Sequence, residues 1–144
     1  MNITHDSTYT APYVLQAYAY AQQRKFEKAE EALAHCNPRA CGEIGRPLLG
    51  YVYAATGRRS EALRILDTLT AHWRAQHGAP GLAYGIAQVY VGLGAPESAL
   101  RWLEREAETG DSMLYTGIDP IFRSLHAEPR FRAILKKKRL PTPS

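Results

Sequence analysis

Three side chains that could bind a metal ion lie close together in the sequence: His35, Cys36 and Cys41. A structural zinc site needs four nitrogen or sulfur ligands in a tetrahedral array, usually with closely paired cysteines. Two further histidines, His72 and His77, are five residues apart, so they do not share a helix face and do not complete the set. We therefore expect no metal site. A disulfide between the two cysteines is geometrically possible but is not needed in a reducing cytoplasm.

The usual motifs of catalytic sites are missing from the sequence. It has no glycine-rich phosphate loop, no nucleophile elbow and no His-Glu pair at helical metal spacing. Glutamates at 27–31 and 104–108 fall on predicted helices, where they are expected to be solvated carboxylates. We therefore expect a protein that is not an enzyme and that uses no cofactor.

Tyrosines are the residues whose type and spacing favour a binding role. Tyr18 lies 33 residues before Tyr51, and Tyr84 follows on a later predicted helix. Tyrosine combines a large apolar area with one polar tip, which suits a groove for an extended or helical peptide with apolar side chains. The alternative is that these tyrosines only pack against each other or against a neighbouring helix. Tyr51 is the residue that packing explains least.

The elements that must position these tyrosines are helical hairpins. The stretch Leu48–Leu66 reads as one complete hairpin, in which Gly57 is expected at positive φ between two helices. Ala17-Tyr18-Ala19-Tyr20 lies 33 residues before Gly50-Tyr51-Val52-Tyr53, and a further copy follows 37 residues after it at Ala87, Tyr90 and Gly94. A period of this size indicates stacked helix pairs.

The limits of several helices can be predicted from capping and helix-breaking residues. The first helix is predicted over about Thr10–Gln23, and the helix after Gly57 is predicted to run as far as Gln76. Pro120 and Pro129 each suit the first turn of a short helix, so the C-terminal segment is predicted to cap the stack.

Composition indicates one ordinary globular domain. The chain has 144 residues, of which 45% are hydrophobic and 22% charged. No apolar run approaches the roughly 18 residues of a membrane span, and the first 15 residues contain no secretory signal. We therefore expect a cytoplasmic location and no membrane partner.

Charge is concentrated at the C-terminal end. The net charge is +4, but residues 129–144 carry six basic residues and no acidic one, which leaves 12 basic against 14 acidic residues elsewhere. The basic tail, residues 136–144, could attract nucleic acid or acidic lipid without sequence readout, or it could be a solvated terminus. Because the rest of the chain lacks a basic excess, nucleic acid is not the expected partner.

The repeated residues make the chain resemble a tetratricopeptide-repeat (TPR) protein. In the TPR pattern, small residues allow helices to cross closely, tyrosines fill the space between helices, and an alanine and a bulky apolar residue complete the core. The matching positions are Ala17, Gly50 and Ala87; Tyr20, Tyr53 and Tyr90; Ala29, Ala62 and Ala99; and Leu33, Leu66 and Leu103. The pattern's large first residue is Tyr13 in one repeat but Arg46 and Ala83 in the others, and its closing proline is missing.

A narrower resemblance covers about Gly81 to Pro141. This part is similar to the C-terminal repeat regions of bacterial signalling proteins and transcriptional regulators, which follow DNA-binding, kinase or cyclase domains. Those regions end in Asp-Pro-x-Phe, Leu and Asp-Pro-Arg-Phe. Here the end reads Asp119-Pro120-Ile121-Phe122, Leu125 and Glu128-Pro129-Arg130-Phe131. The resemblance implies a bacterial regulatory or scaffold context.

The fold implied is all-α: a right-handed superhelix of about three TPR-like hairpins plus C-terminal capping helices. The repeats are predicted at about 11–43, 44–78 and 79–111, with the cap at about 112–139, all in a single domain of residues 1–144. The expected function is non-catalytic binding of a peptide or partner helix in a concave groove. The groove residues are predicted to be Val14, Tyr18, Gln22, Tyr51, Ala55, Tyr84 and Gln88.

Three alternatives to this function stay open. The chain could be a ligand-sensing regulatory domain, it could contact nucleic acid weakly through the basic tail, or its exposed repeat ends could pair two copies as a homo-oligomer. A clamp for a C-terminal carboxylate is not expected, because the predicted groove positions carry neither lysine nor asparagine.

Overall fold

The computed structural model describes residues 11–35, 45–77, 82–109 and 120–139, and all regular secondary structure in them is helical. The all-α prediction is therefore confirmed for this part of the chain. Its elements are α1 (Ala11–Gln22), α2 (Phe26–Ala34), α3 (Arg46–Ala55), α4 (Arg59–Ala75), α5 (Leu82–Gly92), α6 (Pro96–Thr109), a 3-10 helix (Pro120–Leu125) and α7 (Pro129–Lys137).

These limits lie close to the predicted ones. Helix α4 ends one residue before the predicted Gln76, and Pro120 and Pro129 open the 3-10 helix and α7 as expected. The predicted repeat boundaries at 43/44, 78/79 and 111/112 lie outside the described residues.

A tight turn joins α3 to α4 and forces them into an antiparallel hairpin. Gly57 has φ +84°, as predicted. Its amide donates to the carbonyl of Ala54 at 3.2 Å, and the amide of Arg58 donates to the carbonyl of Tyr53 at 2.8 Å. This pair of bonds is the Schellman motif, which satisfies the carbonyls that the end of a helix leaves without partners.

The same turn occurs in the other two hairpins of the described chain. Between α1 and α2 the left-handed residue is Arg24 (φ 63°), and between α5 and α6 it is Gly94 (φ 73°). The equivalent long bonds run from the amide of Lys25 to the carbonyl of Tyr20 (2.8 Å) and from the amide of Ala95 to the carbonyl of Tyr90 (3.0 Å). The sequence repeat is therefore also a repeat of turn geometry.

Glycines allow the hairpins to stack closely. Helix α3 packs against α1 and α2, and α5 packs against α3 and α4, so each new first helix contacts both helices of the preceding hairpin. A Cβ atom on Gly50 would lie 2.9 Å from methyl groups of Ile65 and Val89. A Cβ atom on Gly85 would lie 2.8 Å from the ring of Pro47. The prediction that Gly50 marks a close crossing is confirmed.

Repeat-related positions fill the core. The small residues Ala29, Ala62 and Ala99 are completely buried, as are Ala17 and Ala87. The tyrosines predicted to fill the space between helices are half-buried against the three core clusters: Tyr20, Tyr53 and Tyr90.

The C-terminal segment, residues 120–139, adds a non-repeated layer. The 3-10 helix packs against α5, and α7 packs against α6. Phe122 and Phe131 are completely buried, and their rings lie 6.3 Å apart between centroids. Arg130 forms ion pairs with Glu97 and Glu104 of α6. In the described residues, no helix combines the length and apolarity needed to cross a membrane.

Candidate binding groove

A groove of about 470 Å³ opens where the first helices of the three hairpins end. Gln22, Ala55 and Gly92 stand at equivalent positions in the last turns of α1, α3 and α5, and all three line it. We call this cavity the inter-hairpin groove. Its lining consists of Gln22, Arg24, Tyr51, Ala55, Val91, Gly92, Pro120, Ile121, Arg123 and Ser124.

Close contact between α3 and α5 forms one side of the inter-hairpin groove. A Cβ atom on Gly92 would lie 2.9 Å from the carbonyl oxygen of Tyr51 and 3.0 Å from the Cβ of Ala54. Tyr51 is only 7% exposed, and its ring meets that of Phe26 edge-on at 6.2 Å. The expectation that packing does not explain Tyr51 is therefore wrong. Tyr51 therefore forms part of the wall of the inter-hairpin groove and does not offer an exposed contact surface.

One turn earlier in the first helices, the space is closed. The side-chain amide of Gln88 donates a hydrogen bond to the hydroxyl of Tyr18 at 2.5 Å, joining α5 to α1 across α3. Gln88 is 4% exposed. Tyr18 and Gln88 therefore hold the first and third hairpins together, and they do not line the inter-hairpin groove.

Two other residues of the predicted groove also lie outside its lining. Val14 is buried in the core, and the ring of Tyr84 meets Phe122 edge-on at 5.2 Å. The structure thus brings together Gln22, Tyr51 and Ala55 from the predicted set. Helical periodicity groups residues on one face of each helix, but it does not show how closely consecutive first helices approach each other.

The 3-10 helix also lines the inter-hairpin groove. Ile121 is 3% exposed and belongs to the buried cluster that contains Ala17, Ala21 and Tyr51 of the first two hairpins. Pro120, Arg123 and Ser124 line the groove beside it. The predicted cap therefore does more than cover the last hairpin, since one of its side chains packs against the first and second.

The inter-hairpin groove has a basic lining. Arg24 and Arg123 line it, and none of the described residues in its lining is an aspartate or a glutamate. The Arg24 guanidinium lies 5.2 Å from the ring centroid of Phe26. Within the ranges that the structure describes, neither arginine forms an ion pair with a carboxylate.

Sequence analysis missed both arginines. Arg24 could have been found by aligning the turns, because it occupies the position of Gly57 and Gly94. Arg123 has no such signal, because its place depends on how the non-repeated C-terminal segment packs.

A histidine lies just behind the groove wall. Burial lowers the pKa of His126, and the charges of Arg123 and Arg132 lower it further. The Nε2 atom of His126 is buried without a hydrogen-bond partner in the described part of the chain. The ring stacks on Phe131 at 5.6 Å. These contacts favour the neutral imidazole.

Two other candidate sites from the sequence can be placed only in part. Of the metal candidates, Cys36 and Cys41 lie outside the described residues, among which no three His, Cys, Asp or Glu side chains are grouped to hold an ion. At the basic end, the Arg130 side chain lowers the pKa of Glu104, and Arg132 donates to the carbonyl of His126 at 3.1 Å. Arg130 and Arg132 are thus used in internal contacts.

The chemistry of the inter-hairpin groove suits binding. Among the described residues, its lining offers the hydroxyls of Tyr51 and Ser124 and no imidazole or carboxylate that could activate them. The chain matches no family model, no curated protein and no solved structure. The function is therefore argued from the groove itself.

Proposed function

We propose that the protein is a non-catalytic protein-interaction module with a TPR-like stack of hairpins, which binds a peptide segment of a partner in the inter-hairpin groove. The three shared Schellman turns and the glycine-mediated contacts between first helices support such a stack. The resemblance of its C-terminal half to repeat regions of bacterial signalling proteins supports a regulatory assembly as its context.

One observation carries this proposal: repeat-related positions at the ends of three first helices line a single groove. Because Ala55 and Gly92 have little or no side chain, the groove stays open between the helices. Its volume of about 470 Å³ falls in the range of sites that hold a small ligand or a few side chains. Tyr51, Val91 and Ile121 give it apolar walls, while the hydroxyl of Ser124 can bond to a peptide backbone.

The experiment is a selection of peptides from a displayed random library, using the whole chain as bait. The selected peptides are then titrated against two matched variants. Ala55→Arg places a long side chain in the groove at the last residue of α3, and Ala75→Arg places the same side chain on the exposed last residue of α4. We expect selected peptides to bind the wild type and Ala75→Arg equally and to lose affinity for Ala55→Arg by tenfold or more.

Two results would contradict the proposal. Selected peptides that bind Ala55→Arg as tightly as the wild type would place the binding surface elsewhere. A selection that yields no specific peptide, while a library of small molecules yields a ligand blocked by Ala55→Arg, would instead support a ligand-sensing domain. Circular dichroism melting of both variants checks that each is folded.

A further inference from the structure

We propose that the inter-hairpin groove selects an acidic peptide segment, in which two carboxylate side chains flank a small apolar residue and engage Arg24 and Arg123. This inference rests on the proposed function and adds the chemical class of the partner. It depends on the two guanidinium groups of the groove, on the absence of acidic residues from the described part of its lining and on the apolar residues of the same lining.

Arg24 is the first of the two cations in the groove lining. The Schellman turn places it at the mouth of the groove, where the equivalent positions of the other two hairpins carry Gly57 and Gly94. Only the first hairpin therefore brings a cation to this place. Its guanidinium lies near the ring of Phe26, and stacking of this kind occupies the planar face while leaving the in-plane N–H groups able to donate.

Arg123 comes from the 3-10 helix, and its side chain is exposed. A ligand in the groove would therefore meet guanidinium groups from two different elements, the α1–α2 turn and the 3-10 helix. Arginine binds carboxylates with two parallel charge-assisted hydrogen bonds, so each guanidinium can accept one acidic side chain.

Two other arginines in the described chain form ion pairs with carboxylates. The guanidinium of Arg58 donates to both carboxylate oxygens of Glu30, at 2.7 and 2.5 Å, and Arg130 pairs with Glu97 and Glu104. In the same described ranges the two groove arginines have no acidic partner. Arg24 and Arg123 thus leave positive charge at the groove, which complements an acidic ligand.

The groove also offers apolar surface for the residue between the two acids. Tyr51, Ala55 and Val91 line it together with the two arginines. A small apolar side chain such as valine or alanine fits this surface. Burying it would exclude water from the flanking ion pairs and strengthen them.

The test uses fluorescein-labelled peptides in which two glutamates are separated by one, two or three valines. Each peptide has a twin with glutamine in place of glutamate. Fluorescence anisotropy measures the affinity of the full chain for every peptide. We expect the best acidic peptide to bind at least tenfold more tightly than its twin, and the difference to shrink as salt is raised, because salt screens partly exposed charges.

Variants that remove one positive charge show which residues produce the preference for acidic peptides. Arg24→Gln and Arg123→Gln are each expected to lower affinity for the acidic peptide about tenfold and to leave affinity for its twin unchanged. Arg24→Lys keeps the charge and should retain the preference for acid. Arg64→Gln, which removes an exposed arginine of α4, is the matched control and should change neither affinity. Thermal melting separates loss of binding from loss of folding.

The outcomes separate this inference from the proposed function. Equal affinity for acidic and glutamine peptides, with binding still blocked by Ala55→Arg, would overturn the acidic preference and leave the peptide groove standing. Acidic peptides that bind the two glutamine variants as well as the wild type would place the acid site elsewhere. Binding of a phosphoserine peptide but not of any glutamate peptide would also overturn it, because the ligand would then be phosphate. If no peptide of any charge binds, both proposals fall.

Discussion

The three hairpins and the C-terminal segment are built in different ways. The hairpins repeat one turn, with the same backbone bonds at Gly57 and Gly94 and small residues at equivalent helix crossings. The C-terminal segment occurs once, and its contacts are distant in sequence: Ile121 lies in a cluster with Ala17 and Tyr51. Local, repeated interactions therefore build the stack of hairpins. The C-terminal segment, whose contacts are distant in sequence, supplies part of the lining of the groove that stays open on this stack.

The largest expected effect tests whether the C-terminal segment is part of the core. Phe122 is completely buried between Tyr84 and Phe131, so Phe122→Ala should lower the free energy of unfolding by about 3–5 kcal/mol. Urea denaturation measures this loss. Leu15→Ala is the control, because Leu15 is 70% exposed and should change stability by less than about 0.5 kcal/mol. A similar small effect of both variants would show that the segment is only loosely attached.

The same contrast explains what could be predicted from the sequence. The turn at Gly57 and the crossing at Gly50 follow from residue type and spacing, and both were correctly predicted. The burial of Tyr51 could not be predicted, because it depends on the close approach of Gly92 on the next first helix and on the packing of Phe26. The groove wall at Ile121 was missed for a related reason. Proline and aromatic spacing predict a short helix there, but nothing in that spacing indicates what the helix packs against.

A second prediction tests the close stacking of the hairpins. In Gly85→Ala the new methyl group would lie 2.8 Å from the Pro47 ring, which cannot rotate away. Overpacking typically costs about 1–3 kcal/mol, and the better helix propensity of alanine offsets up to about 1 kcal/mol of that. We expect a net loss of stability of about 1–2 kcal/mol in urea denaturation. A gain in stability would show that α3 and α5 can separate without penalty, which contradicts a rigid stack.

A third prediction compares equivalent turn positions in two hairpins. Gly57→Ala meets no atom within 4 Å, but its φ of +84° is unfavourable for alanine, so stability should fall by about 1 kcal/mol. Arg24→Gly makes the opposite change at φ 63° and should raise stability by up to about 1 kcal/mol. Loss of the contact between the Arg24 guanidinium and the Phe26 ring would reduce this gain. Thermal and urea unfolding measure both.

The Arg24→Gly variant also separates stability from binding. If Arg24 is kept in a strained conformation for its side chain, the variant should be more stable and yet bind acidic peptides more weakly. Loss of both stability and binding would instead show that Arg24 mainly supports the fold of the first hairpin.

The smallest expected effect is a pH dependence that belongs to the C-terminal segment. The pKa of His126 is lowered in the folded chain by burial and by Arg123 and Arg132, whereas an unfolded histidine titrates near 6.5. Between these two pKa values the unfolded chain binds the proton and the folded chain does not, so stability should be complete above about pH 6.5 and should fall as the pH drops below it. His126→Phe removes this titration and should flatten the difference in unfolding midpoint between pH 7.5 and pH 5.5, at the same ionic strength. If His126→Phe keeps the wild-type dependence of the unfolding midpoint on pH, the C-terminal segment must open enough in the native state to hydrate the imidazole. The part of the groove lining that this segment supplies would then be less rigid than the hairpins.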